Sequence, residues 1–305
     1  MRRCIITIAL IACGCQDYGV ARISHDDVFT QGSPDYPIDI LWVVDNSATM
    51  TEEQDLLAAH FHAFADVLVG SGVDFRMGVT TTDVDEHAGA LLGEVMFPET
   101  EDIAELFTEQ ASVGITGSRD EQPLEAARLA TSEPLVNEDN AELFNTEAGM
   151  QVIVLTDEDD HSRDDLSVYL DHLEDFKDGR FKISVIGGGL PEGCNSTTAS
   201  AEAAEVLSYA VEATEGEFKS ICEADFEPVM KSLALATNGM TDRFLLSSLP
   251  ALDTMIVAVD GIAIHEREED GWQYDAADNA VVTYGLAIPR PGQEVRITYQ
   301  ERLGA

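Results

Sequence analysis

The chain has 305 residues, enough for one large domain and a smaller one. Hydrophobic residues make up 45% of it, which supports a normal buried core and excludes a disordered chain. There are 58 Asp and Glu against 17 Lys and Arg, a formal net charge of −41. Such a surface repels nucleic acid and anionic lipid, and it attracts hard cations. Solvation alone also explains much of this charge, so only an acidic cluster at a structured position indicates a site.

The first residues have the pattern of an export signal. Two arginines precede an apolar run over residues 4–12, which is too short to span a bilayer in the mature protein. The run ends at Cys13 after Leu-Ile-Ala, which resembles the bacterial lipoprotein signal that is cut before a lipidated cysteine. We expect a signal peptide over residues 1–12 and lipid on Cys13, or alternatively on Cys15. An ordinary secretory signal with incidental cysteines is the competing interpretation.

Neither Cys13 nor Cys15 is followed by Asp, which in lipoproteins of double-membrane bacteria favours the outer membrane. The following residues are polar, carry Gly and Pro and show little periodicity, so residues 13–36 are predicted to be the lipidated cysteine and a flexible tether. The membrane would then be contacted only through the lipid. Two further cysteines, Cys194 and Cys222, suggest a disulfide in an exported chain, with unpaired buried thiols as the alternative.

Residues 37–240 alternate between strand and helix patterns. Strands are predicted at the apolar runs 38–44, 75–81, 151–156 and 181–186. Helices are predicted at 51–68, 102–110 and 122–130 and in the segments after residues 157, 190 and 224. We also expect a strand at 91–97 and a capping box formed by Thr51 and Gln54. The pattern predicts an α/β fold, a Rossmann-like, doubly wound and mainly parallel sheet with helices on both faces.

Ligands of such sheets gather at the carboxyl ends of the strands, and three polar clusters fall there. The first contains Asp45, Ser47 and Thr49, whose carboxylate and two hydroxyls on one tight loop suit a hard cation. Ser47 or Thr49 could instead cap the following helix. The second is Thr116 with the glycine and serine after it, in a loop before a helix. The third is the four-acid run at 157–160, whose charges repel one another unless a cation lies nearby.

The order of these clusters resembles the von Willebrand factor A domain and its metal-ion-dependent adhesion site. The match covers about residues 39–239 and includes the opening strand and its loop. The resemblance implies hydroxyl ligands from Ser47, Thr49 and Thr116, and binding by Asp45 and Asp157 directly or through water. Thr49 departs from the family, where Ser is commoner. The long acidic run also departs from it and leaves open whether Asp159 or Asp160 also binds metal.

The function implied by this resemblance is cation-dependent adhesion or protein–protein interaction, without catalysis. The ion would be Mg²⁺, with Ca²⁺ or Mn²⁺ also suited to oxygen ligands, and a carboxylate of a protein partner would complete its coordination. A structural envelope protein with a vestigial metal site is one alternative. A metal-dependent hydrolase is another, but His161 alone among the histidines lies near an acidic cluster and no Ser–His or Cys–His arrangement is evident.

The tail, residues 241–305, changes to short strands without helices. Alternating apolar residues lead into Asp260-Gly261, a typical hairpin turn, and further short strands follow. The pattern predicts a small β-sandwich-like domain, and it contains no chemistry that indicates a site.

Overall fold

The computed structural model describes residues 23–32, 34–197 and 199–302. Its strands are β1 (Ser24–Thr30), β2 (Ile38–Val44), β3 (Phe75–Thr81), β4 (Gly149–Leu155), β5 (Phe181–Gly187), β6 (Cys194–Asn195), β7 (Ser200–Ala201), β8 (Phe218–Ser220), β9 (Arg243–Leu245), β10 (Ile256–Val259), β11 (Ile262–Ile264), β12 (Trp272–Asp275), β13 (Ala280–Thr283) and β14 (Glu294–Gln300). Its α-helices are α1 (Thr51–Ser71), α2 (Ile103–Ala111), α3 (Pro123–Ala130), α4 (Leu166–Lys177), α5 (Glu205–Thr214) and α6 (Phe226–Thr237).

The main unit is built on a five-stranded parallel sheet with the strand order β3-β2-β4-β5-β8. The central strand β2 pairs along its whole length with β3 on one side and β4 on the other. The carboxyl ends of these three strands therefore lie next to one another at one edge of the sheet. The predicted doubly wound α/β fold is confirmed.

Both faces of this sheet are covered by helices. Alternate residues of β2 point in opposite directions: Trp42 packs in a core with α1, α2 and α6, while Val43 packs in a second core with α3, α4 and α5. The apolar stripe of α1 is fully buried and consists of Leu57, Phe61, Phe64 and Leu68. Two of its residues, Phe61 and Phe64, meet the Trp42 ring edge-on at 6.1 and 5.4 Å between centroids. Strand β2 is thus held rigidly between two cores.

A fully buried ion pair lies within the first unit, away from its polar loops. Lys177 at the end of α4 donates to Asp39 of β2 at 2.6 Å, and the two side chains are 1% and 0% exposed. The same lysine donates to the carbonyl of Asn145, and the Asn145 N–H donates to Asp39. The charge inside the otherwise apolar strand β2 is therefore neutralised and hydrogen-bonded.

The second unit consists of two antiparallel sheets, β1-β14-β10-β11 and β12-β13-β9, packed around one hydrophobic core. Asp260 and Gly261 both have positive φ and form the predicted hairpin turn between β10 and β11. The predicted tether is wrong for residues 24–30, because this segment is strand β1 and pairs with β14. Its burial alternates along the strand, and Phe29 packs against Phe244.

Two smaller expectations are also wrong. Residues 91–97 form no strand but a single bridge between Met96 and Met77. Helix α1 has Met50 as its N-cap and no side-chain cap, so Thr51 and Gln54 do not form a capping box. The expected signal peptide and the lipidation of Cys13 or Cys15 lie outside the described residues. Within the part that is described, none of the helices has the length and apolar character needed to cross a membrane.

Candidate functional site

The first polar cluster forms a tight loop directly after β2. The Asp45 N–H continues the pairing with β4 by donating to the Leu155 carbonyl, so the side chain starts from a fixed point. The Asp45 carboxylate is fully buried and accepts from the Ser47 N–H at 2.7 Å and from the Thr156 hydroxyl at 2.7 Å. Ser47 Oγ and Thr49 Oγ1 are 3.1 Å apart. The predicted carboxylate and both hydroxyls are thus gathered on one loop.

Helix capping does not account for these hydroxyls. Helix α1 begins only at Thr51, and neither Ser47 nor Thr49 donates or accepts a capping bond at its start. Gln54, in the first turn, instead donates to the Asp45 carbonyl at 2.8 Å and to the Gly114 carbonyl at 2.9 Å. The first turn of α1 therefore stabilises the loop through Gln54, while Thr49 remains exposed.

Asp157 lies beside this loop, two residues beyond the end of β4. Its carboxylate interacts with the Thr49 hydroxyl and with the charge of Asp45. Burial raises the pKa of Asp157; the Thr49 hydrogen bond opposes that shift and the Asp45 charge adds to it. Its Oδ1 atom is buried and has no hydrogen-bond partner within the described chain. A buried carboxylate oxygen without a partner is costly unless another group, such as a cation, compensates it.

Two other acids of the third cluster, Asp159 and Asp160, bind the starts of helices. Asp159 accepts from the N–H groups of Val206 and Leu207, at the start of α5. Asp160 accepts from the N–H of Leu124, at the start of α3, and burial raises its pKa to about 6. Both carboxylates thus stabilise helix N-termini and are engaged with main-chain N–H groups. Their role as additional metal ligands stays a prediction that these contacts do not favour.

Thr116 belongs to a loop that touches the first cluster through its neighbours. The Gly117 N–H donates to the Asn46 carbonyl at 2.9 Å, and any side chain at position 117 would collide with that of Asn46. The Thr116 side chain itself is exposed and makes no hydrogen bond in the described residues. The loop that carries Thr116 therefore contacts the site, but the Thr116 hydroxyl has no hydrogen-bond partner among the described residues. The role of Thr116 as a metal ligand stays a prediction.

Glu121 is a site residue that the sequence analysis missed. It lies two residues before α3, next to the N-cap Gln122, is completely buried, and interacts with the Asp45 carboxyl group. The Thr82 hydroxyl donates to Glu121 Oε2, whereas Glu121 Oε1 is buried without a partner in the described chain. Burial first, and then the negative charge of Asp45, raise the pKa of Glu121 to about 8. The one sequence signal was a glutamate two residues ahead of a proline that starts a helix, a pattern that is common on surfaces.

The donor set of this edge fits a hard divalent cation. It combines carboxylates and aliphatic hydroxyls and has no thiolate or imidazole among Asp45, Ser47, Thr49 and Asp157. The buried Oδ1 of Asp157 has no hydrogen-bond partner among the described residues, so it is available to bind such a cation. Among the residues described, no three acidic, histidine or cysteine side chains converge as a ready-made centre. The hydroxyls are therefore an essential part of the proposed ligand set.

The predicted disulfide between Cys194 and Cys222 is present. Cys194 begins the small β6–β7 hairpin, and Cys222 follows β8. Directly after this hairpin, the Glu202 N–H donates to the Asp157 carbonyl at 2.9 Å. The bridge thus fixes a hairpin whose continuation contacts the loop that carries Asp157.

No protein-family model and no curated protein sequence matches the chain. Among solved structures, the pilus adhesin SpaC from Lactobacillus rhamnosus GG is similar over 91% of this chain and 41% of its own, with 13% identity and a TM-score of 0.48. A von Willebrand factor type A protein from Catenulispora acidiphila shares 12% identity over 93% of this chain and 66% of its own, with a TM-score of 0.39.

Proximal thread matrix protein 1 from the mussel byssus, solved with a zinc-occupied MIDAS motif, shares 13% identity over 70% of this chain and 48% of its own, with a TM-score of 0.43. The chain spans only about two fifths of the length of the pilus adhesin. The fold is therefore assigned from the strand order and register rather than from these similarities. The parallel sheet between two helical layers, with Asp45 and Asp157 beyond the carboxyl ends of neighbouring strands, agrees with the doubly wound α/β fold implied by the resemblance to the von Willebrand factor A domain.

Proposed function

We propose that the main unit binds a divalent cation, with Mg²⁺ as the first choice, at the edge formed by Asp45, Ser47, Thr49 and Asp157. The observation that carries this proposal is the buried and unpartnered Oδ1 of Asp157, next to a loop that presents a carboxylate and two hydroxyls. A cation bonded to this oxygen would compensate its burial and the repulsion between Asp157 and Asp45. Thr116 would join through the adjoining loop.

The bound cation would serve interaction rather than catalysis. The chain has a formal net charge of −41, so an acidic partner is repelled except where a bound cation offsets the negative charge and offers a coordination position. We therefore infer that the partner is a protein offering a carboxylate, and that the molecule is a cell-envelope lipoprotein of the outer membrane acting in adhesion or protein–protein contact. In the described part of the chain, the imidazole of His161 in the acidic loop is paired with Glu158 at 4.0 Å rather than with a Ser or Cys nucleophile.

Isothermal titration with Mg²⁺ tests the cation. Wild type should bind Mg²⁺. Asp45→Ala should lose binding, because it removes one carboxylate of the site and the hydrogen bond to the Ser47 N–H that shapes the loop. Asp157→Asn is a gentler second variant, which keeps the size of the side chain and removes its charge. Asp120→Asn is the matched control, because Asp120 is exposed in the neighbouring loop and its carboxylate makes no hydrogen bond or ion pair with the described residues. Equal binding by wild type and Asp45→Ala, or none by either, contradicts the proposal.

Capture of envelope proteins by the immobilised chain tests the partner. Capture should require Mg²⁺ and be absent with EDTA or with Asp45→Ala, while Asp120→Asn should behave as wild type. A partner that stays bound in EDTA would instead support the alternative of a structural envelope protein with a vestigial metal site.

A further inference from the structure

The main chain at Glu121 is fixed across the end of the central strand. The Gln122 N–H donates to the Thr82 carbonyl just beyond β3, at 3.2 Å. The Glu121 carbonyl accepts from the His161 N–H, in the loop after β4, at 2.7 Å. Because β2 lies between β3 and β4, residue 121 is held directly above the end of β2, where Asp45 begins the candidate cation site.

The side chain of Glu121 is directed to the same point. It is 0% exposed, one carboxyl oxygen accepts from the Thr82 hydroxyl, and the group interacts with the charge of Asp45. The other oxygen, Oε1, is buried and has no partner among the described residues. Within the described part of the chain, Glu121 forms no ion pair with Lys or Arg, whereas buried acids are ordinarily paired, as Asp39 is with Lys177, or bound to a metal.

We propose that Glu121 is a direct ligand of the cation, through Oε1, and so adds a third carboxylate to those of Asp45 and Asp157. Because these three side chains do not yet converge on one point among the described residues, the ion itself would draw Oε1 toward the other two carboxylates. This inference rests on the proposed function, since it presupposes that the site binds a cation. Three carboxylates around a divalent ion leave a net negative charge. The ion is then held more tightly, and its attraction for an external carboxylate is weaker. Glu121 therefore competes with the acidic group of a partner for the same ion.

Glu121→Gln tests this role, with Glu202→Gln as the matched control. Both changes remove one carboxylate beside the site: that of Glu121 interacts with Asp45, whereas the exposed side chain of Glu202 acts on Asp157 through its charge. Titration with Mg²⁺ should show an affinity at least about tenfold lower for Glu121→Gln, the loss typical of an impaired metal site. Glu202→Gln should lower the affinity by no more than about threefold, as expected for an exposed charge.

A count of coordinated waters separates a ligand from a nearby charge. With Eu³⁺ as the probe, luminescence lifetimes in light and heavy water should show an additional bound water in Glu121→Gln and none in Glu202→Gln. Glu121→Asp keeps the charge but shortens the side chain, and it should behave like Glu121→Gln. Agreement between these two variants would show that the effect does not come from a folding defect of one of them.

Equal affinities and equal water counts for Glu121→Gln and Glu202→Gln overturn the inference while leaving cation binding itself intact. If wild type binds no Mg²⁺, the proposed function fails instead. If Glu121→Asp retains the wild-type affinity and water count, Glu121 is not a ligand.

Discussion

The cation-free protein should lose stability as the pH rises, mainly because of Glu121. Its pKa is raised from 4.5 to about 8 in the folded chain, so between these values the folded state holds a proton that the unfolded state has released. The stabilisation is complete below the unfolded pKa and is lost as the pH rises through the folded pKa. Each pH unit within that window removes about 1.4 kcal/mol, so the free energy of unfolding should fall by roughly 2 kcal/mol between about pH 6 and about pH 8.

Urea unfolding of wild type and Glu121→Gln in EDTA, across this pH range, measures the effect. The amide cannot titrate, so Glu121→Gln should lack this decrease. Subtracting its free energy of unfolding from that of wild type at each pH removes the contributions that the two proteins share. Glu202→Gln should keep the wild-type slope, because that side chain is exposed. Saturating Mg²⁺ should flatten the wild-type curve, since the cation replaces the proton. Parallel pH profiles for wild type and Glu121→Gln in EDTA would refute the reasoning.

Two further predictions concern stability away from the cation. Lys177→Ala leaves the Asp39 carboxylate buried without its cation, and should lower the free energy of unfolding by roughly 3–5 kcal/mol in urea titrations; a loss under about 1 kcal/mol would show that the pair contributes little. The double change of Cys194 and Cys222 to Ser opens a bridge that spans 28 residues and should cost roughly 3–4 kcal/mol by loop-closure entropy. Unchanged urea midpoints for that variant, measured without reductant, would contradict this expectation.

The layered fold follows closely from the sequence. Strands covered on both faces must be apolar on both faces, so the run at β2 was recognisable, and the stripe of α1 matched the single face that this helix buries. Strand β1 was not recognisable, because only Val28 and Phe29 are large apolar residues in it. It becomes a strand by pairing with β14 near the other end of the chain, which no local pattern shows.

The site was accessible from the sequence only in part. Asp45 and Asp157 follow buried strands directly, so their position was fixed once those strands were recognised. In the acidic run the spacing does not show which carboxylates turn toward helix N-termini, as Asp159 and Asp160 do. Glu121 gains its burial and its contact with Asp45 from tertiary packing alone, in a polar stretch without periodicity.

Anomalous diffraction from crystals grown with Mn²⁺ tests the central claim most directly. The account predicts one strong peak at the carboxyl edge of the parallel sheet, bonded to oxygens of the Asp45 loop and to Asp157 Oδ1. No peak there at saturating Mn²⁺, or peaks only at acidic surface positions elsewhere, would contradict it.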